Sequence, residues 1–150
     1  MSNTIQRYRG FKPYSIDSKF RVSVTPAWRP APGATIYLLF SRTHEMPMIK
    51  VLTQDGYDER VEIVEKSNLS EGKKREKLGI LASLCREASI NDQGKLLVPK
   101  DLSEMAEIAP DSEVVLVGRE KHFEIWNSSN HAKALAIELN QDDEDDLGIF

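Results

Sequence analysis

Apolar and polar residues alternate strictly from Phe20 to Val24 (Phe-Arg-Val-Ser-Val), the period of a half-buried strand. The strand lies in "SIDSKFRVSV", residues 15–24, and a similar stretch, "SINDQGKLLV", starts 74 residues later at Ser89. At that offset Ser15, Ile16 and Asp17 fall on Ser89, Ile90 and Asn91, and Arg21, Val22 and Val24 fall on Lys95, Leu96 and Val98. After a four-residue length difference, "PGATIYLL" (32–39) overlies "PDSEVVLV" (110–117). The original offset then returns, with Ile49–Leu52 over Phe123–Trp126. Three matched segments in the same order indicate an internal duplication.

Each copy reads as strand, turn, strand, short helix or turn, strand, strand. In the second, Asn-Asp-Gln-Gly is a turn signature before an apolar strand that Pro99 ends. Asp101 is predicted to cap a short helix running through Glu104 and Met105. In the first copy Pro30 would stop any helix begun at Pro26, so a turn is expected there. Between the copies, "DERVEIVEK" (58–66) and "EGKKREKLGILASLCREA" (71–88) carry helical spacing. Leu78, Leu81, Ala82 and Cys85 at i, i+3, i+4, i+7 predict one buried face, with Lys73–Lys77 solvated. A last helix is expected around His131–Leu139. The boundaries that follow are a first unit at 9–54, a helical connector at 55–83, a second unit at 84–129, and a C-terminal helix with acidic tail at 130–150.

Net charge is −4, which by itself argues against a nucleic-acid binder, but its distribution changes that picture. The tail "ELNQDDEDDLGIF" holds Glu138, Asp142, Asp143, Glu144, Asp145 and Asp146, and the remainder of the chain is +2. The first thirty residues, with Arg7, Arg9, Lys12, Lys19, Arg21 and Arg29 against Asp17, are +5. A basic head on an acidic-tailed chain allows a phosphate-facing surface. The single Cys85 excludes an intrachain disulfide and fits a reducing cytoplasm. The N-terminus has no apolar signal region, and no apolar run nears the roughly 20 residues that span a bilayer.

No P-loop, GxGxxG, HExxH, CxxC or GxSxG occurs, and no isolated carboxylate pair stands in apolar surroundings. His44, His122 and His131 lack neighbours at metal spacing and read as surface or packing residues, and Cys85 reads as a buried inert thiol. An enzyme, a cofactor and a metal are therefore not expected. What remains is Asp17-x-x-x-Arg21. It reads equally well as a local pair that fixes a hairpin, or as a carboxylate holding a turn so that Lys19 and Arg21 face phosphates or guanine edges.

"YRGFKPYSIDSKFRVSV", "GKLLVP" and "EVVLVGREKHFEIWN" resemble the MraZ family of bacterial transcriptional regulators of the division and cell-wall gene cluster. The likeness runs from Tyr8 to about Leu139. It implies a β-rich α+β fold of tandem AbrB/SpoVT-like ββαβ units forming a swapped-hairpin pseudo-dimer within one chain, with intervening and C-terminal helices. It also implies a ring-like homo-oligomer without a membrane association. Its partner would be double-stranded DNA, in repeated short promoter boxes, and its usual action repression, in the cytoplasm and nucleoid. Asp17, Lys19 and Arg21 match the family's DNA-contacting turn, and Arg9, which matches the arginine of its opening motif, is grouped with Lys19, Arg21 and Lys95 as expected DNA contacts.

Two departures bear on that role. Phe20 stands where the family favours Gly; if the backbone there needs positive φ, Phe costs on the order of 1–2 kcal/mol. Either the turn differs or Phe20 is presented outward toward a partner. In the second copy Asn91 replaces Asp and Lys95 replaces Arg. Asn91 can still order a turn, but Lys95 grips phosphate as a point charge without the bidentate fork. The second turn is thus expected to position the protein and the first to discriminate bases. The competing readings are an oligomeric interaction or assembly protein on the same scaffold, and an antitoxin-like regulator whose tail wraps a toxin.

Overall fold

The computed structural model describes residues 6–140 and 147–150. The elements, in chain order, are β1 (Phe11–Ile16), β2 (Arg21–Ser23), a single 3-10 turn (Pro26–Trp28), β3 (Ile36–Thr43), β4 (Met46–Leu52), α1 (Gln54–Glu65) and α2 (Glu71–Ser83). They continue as β5 (Cys85–Ala88), β6 (Lys95–Leu97), α3 (Lys100–Met105), β7 (Ser112–Gly118), β8 (Phe123–Asn127) and α4 (Ser128–Leu139). The fold is a strand-rich α+β architecture with antiparallel pairing throughout.

Six strands form one sheet in the order β1-β7-β8-β4-β3-β5, and β2 pairs with β6 as a separate ribbon. The register has a two-fold pattern that follows the 74-residue offset. Lys50 lies opposite Glu124 at the centre of the β4–β8 pair. Val22 lies opposite Leu96 at the centre of the ribbon. Further out, β1 pairs with β7 (Phe11 opposite Val117), and β5 pairs with β3 (Cys85 opposite Leu39). Each outer strand therefore joins a hairpin from the other half of the chain. The edges are guarded in the usual ways: Pro13 lies in β1, and β5 is only four residues long.

Alternation along the strands creates two cores. Val114, Leu116, Ile49, Ile125 and Phe123 face the ribbon, whose inward Val22, Val24, Leu96 and Val98 are fully buried. Each such side chain contributes about 1.5–3 kcal/mol through burial. On the opposite sheet face, Val115, Val117, Met48 and Trp126 pack with Ala134 of α4. The helix α1 follows β4 as α4 follows β8: both are twelve residues long, and their first residues are also 74 apart. Thr53 and Asn127 cap them by accepting the Gly56 and Asn130 amides.

Three sequence expectations are corrected. Cys85 opens β5 rather than closing a helix, because Leu84 already ends α2. The expected buried face of that helix is shallow: Leu78 and Leu81 are half-buried, Ala82 is exposed, and Ile80 is 52% exposed. Asp101 does not cap α3, which starts at Lys100 after Pro99; its carboxylate instead meets Arg86 at 2.6 Å. No helix among the described residues is long and apolar enough to cross a membrane.

Candidate nucleic-acid interface

The turns 17–21 and 91–95 are built from the same set of hydrogen bonds. In the first, the Asp17 amide donates to the Arg21 carbonyl (2.9 Å) and the Phe20 amide to the Asp17 carbonyl (3.1 Å). Asp17 Oδ1 accepts the amides of Lys19 (2.9 Å) and Arg21 (2.8 Å). In the second, Asn91 N–H reaches Lys95 O (3.0 Å) and Gly94 N–H reaches Asn91 O (2.9 Å). Asn91 Oδ1 accepts from Gln93 and Lys95, both at 2.9 Å. Turn ordering thus needs one side-chain oxygen, which Asp and Asn both supply. The charge on Asp17 has a separate use: Oδ2 accepts from Arg21 Nε at 2.9 Å. The Arg21 amide, then its guanidinium and the Lys19 amide, hold the Asp17 carboxyl below its ordinary value against desolvation.

Phe20 has φ of 60°, and Gly94 at the matching place has φ of 76°. The turn is therefore the same in both copies, and Phe20 accepts the left-handed conformation. Its ring does not project outward as a stacking surface; it is half-buried and packs on the main core. Burial of the ring offsets the backbone cost of about 1–2 kcal/mol. We expect Phe20→Ala to be less stable than Phe20→Gly by about 1 kcal/mol, reversing the ordinary order of Ala over Gly, because Ala keeps the strain and loses the packing. Urea unfolding midpoints of the two variants check this; Ala at least as stable as Gly would refute it.

Beyond the turns, the ribbon places Arg21 opposite Leu97 and Ser23 opposite Lys95. Period-two alternation puts these four side chains on the outer face. Diagonal neighbours on such a ladder lie about 7–8 Å apart, so Arg21 and Lys95 form one cationic patch. Lys95 Nζ donates to Ser23 Oγ at 2.7 Å, and the Arg21 side chain is 47% exposed. Lys19 is exposed at the tip of the first turn. Sequence reasoning missed Leu97, which is 58% exposed on this face beside Arg21. Its alternation with buried Leu96 and Val98 was the available signal.

Arg9 is not brought to this patch. It stands before β1 while Asp17 follows it, so the length of the six-residue strand, about 20 Å, separates them. Its guanidinium meets Glu120, at 3.2 Å from Nη2 to Oε1. Arg7 joins the same carboxylate, and these cations hold the Glu120 carboxyl below its ordinary value. Gly118 lets this N-terminal segment lie close: a Cβ there would come within 2.5 Å of the Tyr8 carbonyl.

Glu138 also departs from expectation. It does not belong to a free acidic tail, since its carboxylate takes Arg119 at 2.9 Å and His44 at 3.2 Å. Asp142, Asp143, Glu144, Asp145 and Asp146 lie outside the described residues. Among the described residues no group of three or more His, Cys, Asp or Glu could hold a metal ion.

The chain is similar to the transcriptional regulator MraZ of Roseiflexus castenholzii, with 27% identity over 116 residues, or 76% of each chain. No family model matches the sequence. That relative is named a transcriptional regulator, and the similarity supports the resemblance to the MraZ family read from residues 8–139.

Proposed function

We propose that this protein is a sequence-specific DNA-binding transcriptional regulator, with the outer face of the β2–β6 ribbon and its two flanking turns as the DNA-contacting surface. The observation that carries the reading is the shared face of Arg21, Ser23, Lys95 and Leu97, flanked by two turns of identical hydrogen bonding. A two-stranded ribbon fits the major groove, where Arg21 can fork onto guanine N7 and O6 and Leu97 can meet a thymine methyl. Lys95 and Lys19 suit phosphates. A MraZ homologue with this surface is further read as a repressor of the division and cell-wall cluster, acting on repeated promoter boxes in the cytoplasm and nucleoid.

The two units, 9–54 and 84–129, would each contribute one turn to a single ribbon. A homo-oligomer, ring-like by the family resemblance, raises the effective concentration of each further contact. That assembly draws support from the apolar side chains that α1 and α2 leave in solvent, Ile63 at 62% and Ile80 at 52% exposed. The same exposure favours the runner-up, an interaction or assembly protein without specific DNA binding.

Fluorescence anisotropy on DNA from immediately upstream of the gene, with scrambled DNA as competitor, separates the two. The regulator reading expects tight, salt-sensitive binding that scrambled DNA does not displace. Equal affinity for both DNAs would move the interaction-protein reading to first place.

A further inference from the structure

We infer that Arg29 is a phosphate-contacting residue of the second turn, supplying the guanidinium which that turn lacks in sequence; this rests on the DNA-binding reading above. Gly94 explains how it gets there. A Cβ at Gly94 would overlap the Cζ, Nη2 and Nε atoms of Arg29, so the guanidinium occupies the space where a side chain at position 94 would stand. Arg29 Nε donates to the Val24 carbonyl at 2.8 Å, which fixes the plane of the group. Only one of its five N–H donors is used in that bond. Among the described residues no carboxylate lies within ion-pairing distance of Arg29, and its side chain is half-buried rather than enclosed. A fixed, unpaired guanidinium beside an exposed turn is the arrangement that recognises a phosphate in two-point geometry.

The charge balance of the two turns agrees. Residues 17–21 carry Asp17 against Lys19 and Arg21, a net +1. Residues 91–95 carry Asp92 against Lys95, a net zero, and adding Arg29 brings this turn to +1 as well.

The two-fold pattern explains why sequence matching hid the residue. Arg29 sits in the first copy but serves the second turn, because β2 runs alongside β6 and the Val24 amide donates to the Gly94 carbonyl. At the 74-residue offset its counterpart is Ser103, fully buried, while Phe20 stands where Gly94 does. The second turn's Gly94 leaves open the space that Arg29 occupies, whereas at the matching place of the first turn Phe20 brings its own ring onto the core.

The test uses the wild-type chain and the arginine-specific reagent phenylglyoxal, read by peptide mass spectrometry with and without saturating upstream DNA. Arg75, exposed on α2, is the internal reference. Protection of both Arg29 and Arg21, with Arg75 unchanged, supports the inference. Protection of Arg21 alone overturns it and leaves the DNA-binding reading intact, as does failure of Arg29 to react in free protein, since a phosphate would be shut out too. Protection of neither overturns both. As a quantitative check, Arg29→Gln should lower the salt slope of log affinity by about 0.9, so that the affinity ratio between 50 and 200 mM salt shrinks about 3.5-fold. The loss should be equal on upstream and scrambled DNA, as a phosphate contact requires, and an unchanged slope in a folded variant contradicts the assignment.

Discussion

Arg21→Ala is expected to weaken binding to upstream DNA by about five- to 150-fold per engaged ribbon, the value of losing one bidentate base contact of about 1–3 kcal/mol. The loss should be far smaller on scrambled DNA, where only charge is removed. Folding should hardly change. The Asp17–Arg21 pair is exposed, and such pairs contribute about 0–1 kcal/mol. The turn keeps its order without the guanidinium, because Asp17 Oδ1 is bonded to backbone amides at 19 and 21. Competition anisotropy on wild type and variant, with thermal unfolding as a control, separates these outcomes. A folded variant with undiminished discrimination would return Asp17-x-x-x-Arg21 to a purely structural role.

The largest expected effect on stability comes from Glu124, which lies opposite Lys50 at the centre of the sheet and is 3% exposed. Burial pushes its carboxyl up, but donors reverse this: His122 Nε2 at 2.9 Å, Trp126 Nε1 at 2.9 Å and Arg119 Nε at 3.0 Å. The result is a pKa lowered from 4.5 to about 2. A folded value below the unfolded one means that the contribution is complete above about pH 4.5 and fades as pH falls through about 2. At 1.36 kcal/mol per pKa unit this amounts to about 3 kcal/mol. Glu124→Gln should therefore be less stable than wild type by about that amount at pH 7, and the two stabilities should converge toward pH 2. Denaturant unfolding at several pH values reads this directly. Parallel curves with a constant gap would show that Glu124 does not carry the acid sensitivity.

Much of the architecture was legible because it depends on period. Alternation put Val22 and Val24 on one apolar face, and the 74-residue offset matched them with Leu96 and Val98 and Lys50 with Glu124, residues that the register sets opposite one another or on the same inner face of the ribbon. Legibility failed where a contact crosses between halves. Arg29 over Gly94 is such a contact, and within the second half Arg86 with Asp101 likewise joins segments that no local pattern links. Phe20 was read as a departure because it stands where the family favours Gly, whereas packing of its ring against the core offsets the cost of the positive φ it adopts. Arg9 was grouped with the turn by motif, yet it stands at the other end of β1 and meets Glu120, a distance invisible in a one-dimensional match. Glu138 counted as tail charge until α4 carried it to Arg119 and His44.

The most direct test of the ribbon as the DNA-contacting surface is site-directed photo-crosslinking on upstream DNA. A photoreactive side chain would be placed at Lys19, at Gln93, and at Ile63 on the outward side of α1, all three exposed. Crosslinks from both turn tips and none from position 63 are the expected result. Crosslinks from position 63 alone, or from none of the three while the protein still binds, would place the DNA elsewhere and contradict the assignment.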